Sequence, residues 1–271
     1  GNTMTLLRLS KVYMQRRVVG KVLLCALLSC FLYLLDCWPD WVQTVKSYIP
    51  GVDAYYFVNY VSRYGSYKKF AYALCAYPFA ANFCEEWASR NTYYVCARSS
   101  KKQYVLSNFL ICAFAGGFVA GLAQMIFLLA LSFFTPLWDG YSASSPFVRN
   151  AYFDLLCSGH TLGYYACSVY HSFLAGALWA TVGMSVSIWY PVNSVAIVSP
   201  VLVYYIYTQA CTFAHIARPY RLDYMLSIHA ETNSLLFGLL FPLGIVAALF
   251  ALQVFLFYRR LLWRLNHEAP N

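Results

Sequence analysis

The chain has 271 residues, of which 61% are hydrophobic and only 11% charged, against roughly 45–50% apolar and 25% charged in soluble domains. That leaves too little polar surface to clothe a water-soluble fold of this size. The formal charge of +9 does not point to nucleic acid, because the basic residues flank long apolar runs, where Lys and Arg meet anionic lipid and set topology.

The ten cysteines mostly fall inside apolar runs with no CxxC or CxxH spacing, so they read as small buried hydrophobes, and no metal site is implied. Only Cys37 and Cys157 are placed where an external disulfide is conceivable. Gly1-Asn2-Thr3 reads as a cloning remnant before a natural start at Met4. No small-residue cleavage site follows the first apolar run, which is therefore expected to stay in the membrane.

In chain order, residues 5–18 form a basic amphipathic helix, with Leu6, Leu9, Val12 and Tyr13 on one side and Arg8, Lys11, Gln15 and Arg16 mainly on the other. The first span is expected over 19–37 and stops at the Trp38-Pro39-Asp40-Trp41 cluster. A Tyr- and Phe-rich connection follows, expected to pack against the membrane surface. The second span, 69–84, is short and should project beyond the lipid into Glu85-Glu86-Trp87. A polar loop over 85–107 leads to a long third span, 108–134, whose Gly117 and Gly121 form a GxxxG that lets another helix approach closely. A second connection holds Pro136, Trp138, Pro146 and Gly159. The fourth and fifth spans, 164–190 and 194–216, are joined by the short Pro191-Val192-Asn193 turn and should be antiparallel neighbours. A polar segment with Arg218, Arg221, Asp223, His229 and Glu231 precedes the sixth span, 234–258, and a basic tail, 259–271, ends the chain.

The expectation is thus an all-α integral membrane protein of six transmembrane helices preceded by an interfacial helix. With both termini inside, 12 Lys and Arg lie inside and 7 outside, so the bias favours an N-in, C-in topology.

Motifs for chemistry are few. No G-x-x-x-x-G-K-[ST] occurs, so the chain has no P-loop for ATP. His160, His171, His215, His229 and His267 are scattered, with no HExxH. Ser158 and His160 flank Gly159 but lack a G-x-S-x-G context for an intramembrane hydrolase or acyltransferase. The expected spans are nearly free of charge, which disfavours ion-coupled transport. Their polar groups are neutral: Asn82, Gln124, His171, Gln209 and Gln253, each readable as a helix-packing hydrogen bonder, with Gln124, His171 and Gln209 the candidates for lining a pathway.

The order of elements and the stretch YPFAANFCEEWASRNTYYVCARSSKKQYVLSNFL, from Tyr77 to Leu110, resemble the permease subunit of a bacterial type 2 ABC transporter. The likeness lies in an acidic pair at a helix end, a bulky aromatic, a Tyr-rich turn and a basic lead into the next span. The resemblance implies a cytoplasmic coupling segment, with Glu85, Glu86, Trp87, Arg90, Tyr93, Tyr94 and Arg98 contacting a separate cytosolic ATPase that binds ATP and Mg. It also implies a second permease copy or paralogue and a bacterial cytoplasmic membrane, and a polar re-entrant segment at about Pro219 to Asn233. The expected function is that of an exporter permease for an amphipathic peptide or lipid-like cargo, without catalytic residues or a cofactor of its own. The long aromatic connections could form an outer lid or dock an accessory subunit. The alternative is a non-transporting membrane scaffold or sensor that recruits a cytosolic partner through the same loop.

Overall fold

The computed structural model describes residues 18–47, 49–98, 100–140, 152–228 and 234–267. The amphipathic helix expected over 5–18 lies outside them apart from its last residue, as do Pro146, Arg149, His229 and Glu231.

Among the described residues every regular element is a helix. Five are long and apolar enough to cross a membrane: α1 (Val19–Asp36), α7 (Lys101–Ser132), α9 (Thr161–Ser187), α10 (Asn193–Phe213) and α12 (Leu235–His267). Their outward faces carry exposed Leu, Phe and Ile, among them Leu24, Leu27 and Phe31 on α1, Ile206 on α10, and Leu236, Leu240 and Phe255 on α12. Water would penalise such a belt and lipid does not. The chain is an all-α, multi-pass membrane protein.

The shorter helices are α2 (Trp38–Lys46), α3 (Ala54–Tyr64), α4 (Ala71–Ala76), α5 (Asn82–Ala88), α6 (Asn91–Arg98), α8 (Phe153–Cys157) and α11 (Leu222–Met225), with 3₁₀ turns at Tyr67–Phe70 and Arg218–Tyr220. The stretch expected as the second span is not one helix. A 3₁₀ turn and α4 run to Ala76, turns follow, and α5 resumes at Asn82. Pro78 explains the interruption: it has no N–H to give to the preceding turn, and the chain bridges it through Ala80 N–H bonding to the Ala76 carbonyl (2.8 Å).

The central pair is α7 and α9, with α1 against α7, α10 against α9, and α12 on both; α4 is wedged among α1, α7, α9 and α10. Small residues make that approach possible. A Cβ on Gly116 would meet the Gly176 carbonyl at 2.7 Å as well as the Ala180 side chain, and one on Gly176 would run into the Gly116 carbonyl and Ala120. The crossing is therefore a pair of small-xxx-small faces, Gly116/Ala120 and Gly176/Ala180. Gly117 instead accommodates the Phe173 ring, and at Gly121 a Cβ would make only ordinary contacts of 3.7–3.8 Å.

Two hydrophobic clusters divide the bundle lengthwise. One joins the α5–α6 end to α7, α9 and α12 through Phe83, Tyr104, Phe109, Met184, Phe257 and Leu261; this is called the hairpin end. The other sits at the opposite, cap end, where α2, α3 and α8 fold over α1, α7 and α9. The aromatic connections thus pack onto protein. Tyr55 is fully buried against Trp138, Phe153 and Tyr164, whereas Tyr64 and Tyr67 are exposed. Trp38 opens α2, with Pro39 in the first turn, where a missing N–H costs nothing. Cys37 and Cys157 are free thiols, Cys37 buried and bonded to the Tyr33 carbonyl (3.3 Å), Cys157 exposed.

Polar clamps hold the cap. Asp53 caps α3, accepting from the Tyr56 N–H (2.9 Å), and its second oxygen accepts from the Asp139 N–H (3.1 Å). Asp139 in turn accepts from the Gly51 N–H (2.7 Å). Burial pushes the Asp53 carboxyl up to about 6, against the two N–H donors that favour its charged form. A raised carboxyl pKa means the folded chain holds a proton that the unfolded chain releases. Its contribution to stability is therefore largest below about pH 4 and is lost as pH rises through 6, by on the order of 3 kcal/mol. Asp53→Asn should remove that part of the pH profile, read as the difference between wild-type and variant melting temperatures from pH 4 to 7.

Candidate functional site

At the hairpin end, α5 and α6 are joined by a tight turn. Arg90 takes a left-handed conformation there (φ 58°), which normally favours Gly and costs a side-chain-bearing residue about 1 kcal/mol. The turn reverses the chain so that residues from the two short helices meet. Trp87 is half-buried, its ring 5.7 Å from Phe83 and 5.3 Å from Tyr93, and the guanidinium of Arg264, from the last turn of α12, lies 5.1 Å from it. Phe83 packs edge-on against Phe257 of α12 (5.0 Å), which also meets Phe109 of α7 (5.2 Å). Glu86 accepts from the Asn82 amide (2.8 Å) and from the hydroxyl of Tyr104 in the second turn of α7.

The seven residues singled out in the sequence therefore separate into two sets. Glu86, Trp87 and Tyr93 face inward and fasten the hairpin to α7 and α12. Glu85, Arg90, Tyr94 and Arg98 are exposed, with Tyr94 66% accessible, a large aromatic presented to the surroundings. Arg264 was visible in sequence only as a charge of the basic tail. It is 8% exposed, stacks on Trp87 and donates to the Trp189 carbonyl (3.5 Å). Arg260 beside it lies over Trp189 (4.6 Å) and Trp263 (4.0 Å). Stacked cations of this kind contribute about 0.5–2 kcal/mol each, more as they are desolvated.

At the cap end lies a cavity of about 150 Å³ between α4, α7, α9, α10 and the α11 segment. Gln124 and His171 both line it, as do Ser168 and Ser172. His171 is buried, and its Nε2 lies 2.8 Å from the Tyr152 hydroxyl. Gln209 is exposed on α10 and is not among the lining residues. Sequence reading missed the charged part of the wall, Arg63, Lys68, Lys69 and Asp223, because these residues sit in the connections or, for Lys69, at the very start of a span. Their convergence depends on the cap folding back. Asp36 fixes that fold by accepting three backbone N–H bonds, from Ser66 (2.7 Å), Tyr67 (2.9 Å) and Lys68 (2.8 Å).

Ser158 donates to the Leu155 carbonyl (3.2 Å) and is exposed, as is His160, on the turn ahead of α9. No group of three or more His, Cys, Asp or Glu that could hold a metal occurs among the described residues. Compared with protein families, with characterised proteins and with solved structures, the chain shows no significant match.

Proposed function

We propose that the chain is the permease subunit of an ATP-driven ABC exporter in a bacterial cytoplasmic membrane, moving an amphipathic peptide or lipid-like cargo, with ATP and Mg bound by a separate cytosolic ATPase. The observation that carries the reading is the hairpin. A short two-helix element at one end of the bundle exposes Glu85, Arg90, Tyr94 and Arg98 while Trp87 and Glu86 tie it to two long helices. Mixed charges around an aromatic anchor suit a protein partner, and firm attachment lets a push on the hairpin move α7 and α12 as units.

In this reading the membrane is crossed six times, N-in and C-in. The interrupted stretch over 69–84 serves as the second crossing, its α4 turn enclosed by α1, α7, α9 and α10, where irregular backbone is tolerated at membrane depth. The hairpin is then cytoplasmic and the cap external, and a second copy or a paralogue completes the pathway.

The test is ATP hydrolysis by the complex of this chain with its ATPase. Arg90→Gly keeps the left-handed turn while removing the charge, so it separates recognition from folding. Combined with Tyr94→Ala and Arg98→Glu, it should lower permease-stimulated hydrolysis at least about tenfold, the loss of one well-placed aromatic anchor and its charges. Unchanged stimulation with normal association would defeat the proposal.

A further inference from the structure

The cap-end cavity has an uneven wall. On one side Tyr72, Trp179 and Tyr204 form a three-ring cluster, with centroids 5.4 Å (Tyr72–Trp179), 5.2 Å (Tyr72–Tyr204) and 5.4 Å (Trp179–Tyr204) apart, and all three rings line the cavity. Asp223 lines it too. Its Oδ1 is buried and has no hydrogen-bond partner among the described residues, an arrangement that is costly for a carboxylate unless a cation or donor completes it. Electron-rich ring faces beside an uncompensated carboxylate oxygen are the environment that recognises an ammonium group, primary or quaternary.

The remaining charged residues on the wall have the opposite sign: Arg63 at the end of α3, and Lys68 and Lys69 on the 3₁₀ turn. The Lys69 ammonium sits 5.7 Å from the Tyr205 ring. Asp36 gives Lys68 a partial counter-charge while its oxygens accept from the three backbone N–H groups of the same turn. The cavity wall thus carries both an aromatic cluster with a carboxylate and three cationic side chains, with Gln124, Ser168 and Ser172 supplying neutral hydrogen-bonding groups. Its volume of about 150 Å³ is below the roughly 300 Å³ at which drug-sized pockets begin, so it admits a head group and not a whole lipid or a long peptide.

We propose that this cavity binds a small zwitterionic group, its ammonium seated against the cavity side of the packed Tyr72–Trp179–Tyr204 cluster beside Asp223, its phosphate or carboxylate held by Lys68, Lys69 and Arg63. The group is either the head of a phospholipid-like amphiphile or a free zwitterion. The inference concerns binding by this chain alone and stands or falls separately from the ATPase reading.

Calorimetric titration of the purified chain in maltoside micelles tests it, with phosphocholine, glycine betaine, choline and inorganic phosphate as probes. Phosphocholine and betaine should each bind at least about tenfold tighter than choline or phosphate, since only they satisfy both walls. Asp223→Asn should weaken phosphocholine about tenfold and phosphate less than about twofold, while Lys68→Gln with Lys69→Gln should weaken both. Should Asp223→Asn fail to fold, Tyr204→Leu carries the same comparison. Dihexanoylphosphatidylcholine binding much tighter than phosphocholine would assign the site to a lipid, and equal binding would assign it to a free zwitterion. If both zwitterions bind no tighter than their halves, or if neither Asp223→Asn nor Tyr204→Leu changes the preference, the proposal is overturned.

Discussion

On the permease reading, Trp87→Ala and Arg264→Ala leave the chain able to capture a cytosolic ATPase while cutting the link between that partner and the far end of the bundle. Neither side chain belongs to the exposed set: Trp87 is enclosed by Phe83, Tyr93 and Arg264, and Arg264 also reaches the Trp189 carbonyl. Truncating a half-buried Trp should destabilise the hairpin by about 2–3 kcal/mol, toward the low end of the range for large aromatic-to-Ala changes. Removing the Arg264 guanidinium loses a stacked cation and a charged hydrogen bond, about 1–3 kcal/mol. Arg264→Lys should not restore coupling, because a flat guanidinium stacks on indole in a way an ammonium does not. Hydrogen exchange of the assembled complex, with and without a non-hydrolysable ATP analogue, gives the readout. In the wild type, nucleotide should change protection around α8 and the start of α9; in both variants that change should fall at least about fivefold while association persists. Loss of association in step with loss of coupling would show that the inward set has no transmitting role of its own.

The second large effect is expected at the α7–α9 crossing. Gly116→Leu or Gly176→Leu places a branched side chain where even a Cβ meets the facing backbone, and the chain should not yield a folded, monodisperse protein. The milder Gly176→Ala should destabilise by about 1–3 kcal/mol, as overpacking does in tightly filled sites, and should lower the melting temperature in detergent. Gly121→Ala is the control: its Cβ would make contacts of 3.7–3.8 Å, and its effect should stay within about 0.5 kcal/mol. A large loss at Gly121 with none at Gly176 would mean that the helices cross elsewhere.

These glycines also show where sequence reading reached its limit. A G-xxx-G spacing is visible in one dimension, but Gly116, Gly117 and Gly121 lie within two turns, and only the partner helix decides which face is used. Gly116-xxx-Ala120 facing Gly176-xxx-Ala180 was the available signal, and it becomes informative only when the two helices are considered together. The long spans were legible because stretches of eighteen or more residues that are apolar on average and nearly free of charge leave few alternatives. The stretch over 69–84 was less so, since the apolar run gives its destination and Pro78 its break. The cap read as a surface-lying aromatic connection; its helices depend on long-range clamps, such as Asp53 with Asp139 and Asp36 with the Ser66–Lys68 backbone, that no local pattern encodes. The seven residues expected to meet a partner lie on one two-helix hairpin, but their division into a fastening set and an exposed set required knowing that α12 returns Arg264 to Trp87.

The most direct test of the central claim is to isolate the full-length chain through an affinity tag from a membrane in which its ATPase is present, and to measure ATP hydrolysis in the purified material. The permease reading predicts an ATP-hydrolysing partner in near-equal amount, lost when Arg90→Gly, Tyr94→Ala and Arg98→Glu are combined in a chain that remains folded. A wild-type chain that carries no ATPase activity, or a triple variant that retains all of it, would contradict the account.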